Sequence, residues 1–483
     1  MSKASRLPSR KEAFSDWYNT VIQQAQFVDQ SPTKGCVVLR PYGFSVWEHI
    51  KAVMDAKIKE NGVENAYFPL LIPQSFLQKE AEHVEGFSPE LAVVTHAGGK
   101  KLEEPYVVRP TSETMIYHMF ARWIASWRDL PLKINQWANV VRWEMRTRPF
   151  LRTTEFLWQE GHTAHSDREE ADAMAQKMLA VYIDVIENYL AIPLFTGRKT
   201  KKERFAGADE TYCMEAMMPD GKALQMGTSH LLAHSFPQAF GVSFQGKDGV
   251  MQTPWCTSWG ITTRLVGAVL MVHGDDNGVV LPPRIAPHQV VIVPIFRNDE
   301  EQERVMQEAL QYADILKSEG VRVHVDVRSG ERPGAKFFKW EMRGVPLRIE
   351  IGPRDVAAGQ VLVSCRVDMP ECSGKITVAK DVIGATVTTL LDDLQNHLFN
   401  RAKQYYEEQT HQGASIRDFG KALKKQNGFY CVDWCGEAAC EEKLVSSQAG
   451  IRCILDEAVA DDATCFGCCG ADARYRVVAA KGY

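Results

Sequence analysis

The sequence predicts three units. Residues 1–285 form an α+β unit on a mainly antiparallel sheet, 286–395 a smaller α/β unit, and 396–483 a small cysteine-rich α+β unit. Three observations carry this division. Helical and strand patterns in the front half are mixed without strict alternation, as in a sheet with helices laid on it. A proline-rich break, Leu281-Pro282-Pro283-Arg284-Ile285-Ala286-Pro287, precedes a β-α-β-α-β rhythm. Seven of the twelve cysteines then crowd into residues 431–469.

In the first unit, Phe44–Asn61 reads as an amphipathic helix, because Val46, Ile50, Val53, Met54 and Ile58 recur at helical spacing. Asn61-Gly62 ends it, and Ala66–Pro69 reads as a strand closed by proline. Further strands are expected at Tyr106–Arg109, Val140–Glu144, Phe156–Glu160 and Leu224–Met226, with a helix over Arg168–Tyr189. After the break, Gln289–Ile295, Val321–Val327, Leu347–Ile351 and Gln360–Val367 read as strands of a largely parallel sheet. Helices at Glu300–Glu319 and Ala335–Arg343 connect them, and a long helix near Val382–Gln409 leads into the tail.

The chain has 483 residues, 45% apolar and 24% charged, enough for several cores. Its longest strongly apolar run, Leu265–Val272, is too short to span a bilayer. The start, MSKASRLPSRKEAF, has no apolar centre of a secretory signal, so a cytoplasmic protein without a membrane partner is expected. The net charge of −5 requires any nucleic acid to be met by local basic patches.

Four stretches carry chemistry. Arg109-Pro110-Thr111-Ser112-Glu113-Thr114 reads by itself as a capped helix start, yet it brings a hydroxyl and a carboxylate within reach of one small cation. Val141-Arg142-Trp143-Glu144 and Arg152–His162 read as two strands around a loop rich in arginine, with Arg146, Arg148 and Arg152 beside Phe150 and Phe156. Guanidinium forks suit phosphate oxygens, and an aromatic face suits a purine. Gln225-Met226-Gly227-Thr228-Ser229-His230 combines small residues with polar donors. In Ser258–Arg264, a strand runs into an apolar helix with Arg264 at the junction, where an unpaired charge needs an anion or a salt bridge. There is no G-x-x-x-x-G-K-[ST] loop and no G-x-G-x-x-G turn, so a bound nucleotide rests on arginines over a sheet. In the tail, Cys435-x4-Cys440 and Cys465-x2-Cys468 match a closed four-thiolate zinc site, with redox thiols as the rival.

Together these motifs resemble the class II aminoacyl-tRNA synthetases. The helix, strand and Pro69 look like motif 1, the dimer element. The stretch around Arg142 looks like motif 2, and that around Arg264 looks like motif 3. RPTSET, FLWQEGH, GTSH and SWGITTR, in this order and with this tail, resemble the prolyl-tRNA synthetase family over essentially the whole chain. The resemblance implies a class II α+β catalytic unit, an α/β anticodon-binding unit and a zinc-type C-terminal unit. It also implies an ATP-dependent proline–tRNA ligase that acts as a homodimer on L-proline, ATP and tRNA(Pro).

The resemblance assigns roles. Thr111, Glu113, Arg142, Trp158, Glu160, His162 and His230 would hold proline. Arg142, Arg152, Phe156, Gln225, Thr228, Thr262 and Arg264 would hold ATP. Magnesium would accompany the phosphates, with Glu215 as a possible acidic partner. Phe337, Glu341 and Arg348 would read the anticodon, and Cys435, Cys440, Cys465 and Cys468 would bind a structural zinc. In relatives the last ligand is usually followed by glycine, which favours Cys469, whereas the CxxC spacing favours Cys468; the expectation set here is Cys468. Family chains often end in a tyrosine docked toward the catalytic unit, as Tyr483 could be. Bacterial-type relatives carry a large editing insertion between motifs 2 and 3, and the segment from His165 to Gln225 is too short for it. The rivals are a synthetase of the same class for another amino acid, such as threonine, and a non-catalytic tRNA-binding paralogue. A threonine enzyme would bring zinc into its catalytic site, and a paralogue tends to lose the phosphate arginines, which are all present here.

Overall fold

The computed structural model describes residues 7–77 and 91–483. An eleven-stranded sheet runs through the front and tail units. From one edge its strands are Thr410–Gln412, Phe429–Trp434, Tyr475–Ala480, Gly450–Ile454, Leu194–Arg198, Glu210–Met217, Ala223–Ala233, Trp255–Thr262, Glu155–His165, Leu132–Val141 and Glu64–Asn65. Only the outermost pairs at each edge are parallel; the rest is antiparallel, as the mixed sequence pattern implies.

The helix Arg168–Asn188 covers one face of this sheet. Asp167 starts it by accepting the Glu170 N–H at 2.9 Å, which satisfies one of the free donors of the first turn. Its buried stripe, including Met174, Met178, Tyr182 and Ile186, joins a core shared with the helices Pro41–Glu60 and Arg264–His273. Gly161 and Trp259 are register partners across neighbouring strands. A Cβ on Gly161 would stand 2.1–2.2 Å from carbons of the buried Trp259 ring. Gly161→Ala is therefore expected to lower stability by at least about 1–3 kcal/mol, the usual cost of overpacking, read as the midpoint of urea unfolding.

Several expectations are corrected. Ala66–Pro69 is not a strand; the only strand there is Glu64–Asn65. The backbone of Phe68 is satisfied by side chains instead: its N–H donates to Gln136 Oε1 at 2.5 Å, and its carbonyl accepts from Arg109 Nη1 at 2.8 Å. The strand expected to reach Glu144 ends at Val141, and the one expected at Tyr106–Arg109 is the C-terminal part of Lys100–Val108.

The proline-rich break is no exposed linker. Leu281, Ile285 and Ala286 are fully buried. Val279 N–H donates to the Met342 carbonyl at 3.0 Å, Leu281 N–H to that of Gly344 at 3.2 Å, and Arg322 binds the carbonyls of Pro283 and Ala286 at 2.7 and 2.8 Å.

The second unit has a five-stranded sheet, ordered Val323–Val325, Val290–Pro294, Leu347–Ile351, Gln360–Cys365, Lys375–Ala379. The first three strands are parallel and the last two antiparallel, so the sheet is mixed rather than largely parallel. The return after Leu347–Ile351 uses only the short helix Pro353–Ala358, and a parallel crossover needs a dozen or more residues. The helices Asp299–Ser318 and Ile383–Glu408 close its core. In the tail, Phe429–Trp434, Gly450–Ile454 and Tyr475–Ala480 pack on the helix Ile416–Lys425. Among the described residues no helix is long and apolar enough to cross a membrane.

Candidate active site

A cavity of about 630 Å³ opens over the central strands. Side chains alternate along a strand, so Phe156, Trp158, Glu160 and His162 share its face, while Gln159 points to the other side and accepts from the Tyr182 hydroxyl. Strand register brings distant motifs together. Trp158 faces Thr262; Glu160, Gly260 and Thr228 form the next row; His162, Ser258, His230 and Thr211 form the row after that. Thus residues from three of the four motifs meet because of pairings nearly a hundred positions apart, and the helix start at Thr111–Glu113 closes the same cavity.

One end of the cavity is a buried polar net. Thr111 Oγ1 donates to Glu113, and Ser112 Oγ donates to Glu160. Gln136 Nε2 donates to Glu160 Oε1 at 2.8 Å, and His162 Nε2 lies 3.5 Å from Glu160 Oε2. His230 is held between Thr211 Oγ1 at 3.0 Å and Thr228 Oγ1 at 2.9 Å, with the Phe205 ring 4.8 Å away. Among the described residues Trp158 Nε1 and His162 Nδ1 are buried without a hydrogen-bond partner, which leaves polar capacity at a cavity wall.

The other end is cationic. Arg142 donates through Nε to the Pro110 carbonyl at 2.9 Å and lies 5.6 and 5.4 Å from the Phe156 and Trp158 ring centres. Arg264 donates to the Leu151 carbonyl at 3.2 and 3.3 Å and to the Gln225 carbonyl at 3.1 Å. Burial lowers the pKa of both; Glu113 and Glu160 counter this at Arg142, whereas Arg152 adds to it at Arg264. Guanidinium nevertheless stays protonated in proteins. Among the described residues neither has a carboxylate within 4.0 Å, so Arg264 is not the salt-bridged arginine of the alternative reading. Arg152 is half exposed and 3.7 Å from Glu144.

Burial pushes His230 down to about 3, helped by neighbouring His162, and pushes His273 down to about 3, helped by Arg401. Both stay neutral in the folded chain while their unfolded counterparts protonate below about 6.5. The unfolded state then binds more protons, so stability is complete above that pH and falls as pH drops toward 3. Each histidine adds a slope of up to about 1.4 kcal/mol per pH unit. Thermal melts are expected to shift down between pH 7 and 5.5; a flat profile would contradict the assignment.

Glu215, the possible magnesium partner, is committed elsewhere. It is fully buried, with Lys199 Nζ at 2.7 Å and Arg452 Nη2 at 3.0 and 3.1 Å from its oxygens. Gln136, Lys199, Phe205 and Thr211 also belong to the site and carry no signal in the sequence. No local motif marks them, and only the sheet register or a long loop delivers them.

In the second unit, Arg348 lies 4.4 Å from the Phe337 ring centre and 3.0 Å from Glu350. Glu341 and Arg348 line a small cleft of about 250 Å³ with Arg366 and Lys375. Trp340 is buried and donates to Asp326 at 2.8 Å, so it is a packing residue. In the tail, the thiols of Cys435, Cys440, Cys465 and Cys469 lie within 4.8 Å of one another. Cys468, the expected fourth member, is not among them. Its backbone adopts a left-handed turn (φ 53°), which aims its exposed thiol at the Phe466 carbonyl and brings Cys469 Sγ to 3.9 Å from Cys435 Sγ. Tyr483 docks beside the front unit, where its N–H donates to Ala223 at 3.0 Å and Arg148 lies 5.4 Å from its ring.

Comparison with known proteins agrees along the whole chain. Residues 95–273 match the class II tRNA synthetase core domain of the G, H, P, S and T type, 289–386 an anticodon-binding domain, and 416–483 the prolyl-tRNA synthetase C-terminal domain. The proline–tRNA ligase of Natranaerobius thermophilus is 50% identical over 93% of this chain and 92% of its own. That of Symbiobacterium thermophilum is 49% identical over 100% and 99%. The crystal structure of prolyl-tRNA synthetase from Cryptosporidium parvum, complexed with halofuginone and AMPPNP, superposes with a TM-score of 0.93 at 40% identity over 99% of both chains. The chain belongs to the prolyl-tRNA synthetases, class II enzymes that ligate proline to tRNA.

Proposed function

We propose that the cavity binds proline at its Thr111–Glu113–Glu160–His162–His230 end and ATP at its arginine end, so that adenylate forms where they meet. The observation that carries this is Arg142 and Arg264: two guanidiniums at one cavity, hydrogen-bonded among the described residues only to backbone carbonyls. Glu113 and Glu160 supply charge for the secondary ammonium of proline, with Trp158 as an apolar wall. Phe156 sits against adenine, and Arg152, Gln225, Thr228 and Thr262 complete the nucleotide side. The carboxylate of proline attacks the α-phosphorus in line, the new C–O–P bond forms, and pyrophosphate leaves with the electron pair of the broken P–O bond. A ribose hydroxyl of tRNA then attacks the prolyl carbonyl and AMP departs. The carboxylate is already a nucleophile, so the chain's work is positioning and charge stabilisation. Magnesium bound with ATP would neutralise phosphate charge; Glu215 is taken by Lys199 and Arg452 and does not fit as its ligand.

Phe337, Glu341 and Arg348 are proposed to read unpaired anticodon bases, by stacking and edge hydrogen bonds. The four-thiol cluster fits zinc. Tetrahedral thiolates at about 2.3 Å from the metal stand about 3.8 Å apart, close to the 3.9 Å between Cys435 and Cys469. Cys435, Cys440, Cys465 and Cys469 would hold it as a structural ion. Exposed Tyr67, Leu71 and Trp123 around the motif 1 stretch support a homodimer. Unit boundaries at 285/286 and 395/396 and a cytoplasmic location complete the reading.

The test is ATP–pyrophosphate exchange with each of the twenty amino acids, with metal analysis in parallel. Exchange should depend on proline, with weaker activity on alanine, since a smaller side chain costs such a pocket only about 1–3 kcal/mol. Threonine-dependent exchange would replace the reading. Ala-tRNA(Pro) incubated with the enzyme should persist; its hydrolysis would overturn the absence of editing.

A further inference from the structure

The tail reaches the active-site cavity through a buried charge cluster. Lys199 follows the strand Leu194–Arg198, and its side chain is 3% exposed. Its ammonium donates to Glu215 Oε1 at 2.7 Å and to the backbone carbonyl of Arg452 at 2.8 Å. Arg452 lies in the tail strand Gly450–Ile454, and its guanidinium grips both Glu215 oxygens at 3.0–3.3 Å. The seam is tight: a Cβ on Gly197 would stand 2.1 Å from the Ile454 carbonyl oxygen.

Two cations thus share one carboxylate, leaving one net positive charge. An ammonium has three N–H donors, and two are used here. Lys199 also lines the cavity that Arg264 enters, and Glu215 stands across the strand pair from Gln225, whose carbonyl Arg264 binds. A simple Lys199–Glu215 pair would be neutral. With Arg452 taking up the carboxylate, positive charge remains at the cavity wall.

We propose that Lys199 offers its remaining N–H to the phosphates of ATP, and that Arg452 is a positioning residue from the C-terminal unit that holds Lys199 and balances Glu215 for this purpose. This rests on the reading of the arginine end as the ATP site. The C-terminal unit is then part of the activation machinery. Its contribution passes from Arg452 through Glu215 to Lys199, and from the Arg452 carbonyl directly to Lys199.

The test uses the full-length chain with Arg452→Met, which keeps an apolar stem, and with Lys199→Met, Arg452→Lys and Arg264→Ala. In proline-dependent exchange, Arg452→Met and Lys199→Met are each expected to raise the KM for ATP about ten- to a hundredfold, the size of a lost charge-assisted contact. The KM for proline and the metal content should stay within twofold. Arg452→Lys should recover part of the ATP affinity, and the Lys199→Met/Arg452→Met double variant should lose little more than either single one. An unchanged KM for ATP in Arg452→Met overturns the proposal. So does an equal rise for both substrates with a lowered melting temperature, which marks a merely structural seam. Should Arg452→Met not fold, Arg452→Lys and Lys199→Met decide by the same readout. Arg264→Ala separates the two levels: normal exchange there removes the ATP-site reading itself, whereas its loss beside a normal Arg452→Met removes only this inference.

Discussion

Alanine in place of Arg142 or Arg264 is expected to slow proline-dependent ATP–pyrophosphate exchange by about 10²–10³-fold, the usual loss when one preorganised donor to a charged transition state is removed. The variants should still fold. Among the described residues each guanidinium is hydrogen-bonded only to carbonyls, of Pro110 for Arg142 and of Leu151 and Gln225 for Arg264, and both arginines line a cavity from which water can reach the freed carbonyls. Lysine should rescue neither, because an ammonium lacks the planar fork that spans two acceptors. Circular dichroism and melting temperature near the parent values would show that the loss is chemical. Near-normal exchange in either variant would defeat the assignment of this cavity.

The second large effect concerns the tail. Cys469→Ser and Cys435→Ser are expected to take bound zinc from about one per chain to near zero, while Cys468→Ser keeps it. The contrast follows from the turn at Cys468, which brings Cys469 Sγ beside the other three thiols. Structural zinc contributes about 10–16 kcal/mol of apparent binding energy in small peptides. Its loss should therefore loosen Cys465–Cys469 and the short helix Ala438–Glu441. Metal analysis of the purified variants checks this; equal zinc in the Cys469→Ser protein would refute it.

Most of the motif residues were legible because their chemistry is local: a hydroxyl and a carboxylate two positions apart, or an arginine where an apolar helix begins. What stayed hidden depends on pairing at long range. Gln136 carries no signal in its own stretch, yet it positions Glu160 and satisfies Phe68. Lys199 reads as one of several lysines in a polar run until Arg452 arrives from the far end of the chain. The choice between Cys468 and Cys469 turned on a backbone angle, which spacing does not encode. The burial of the break at residues 281–287 was not legible in its prolines, because proline marks both exposed linkers and buried extended segments. The apolar run Val279-Val280-Leu281 before it was the sign of burial.

The strand Leu194–Arg198 has one partner within the front unit, Glu210–Met217, and on its other side meets the tail at the pair Arg198–Ile454. Stripped of that neighbour, its Arg198 end would be left as open sheet edge, where unpaired amides and carbonyls can recruit a strand from another molecule. The tail therefore caps the Arg198 end of this strand. A chain shortened before residue 450 should precipitate as β-rich aggregates even where its front half is correctly folded.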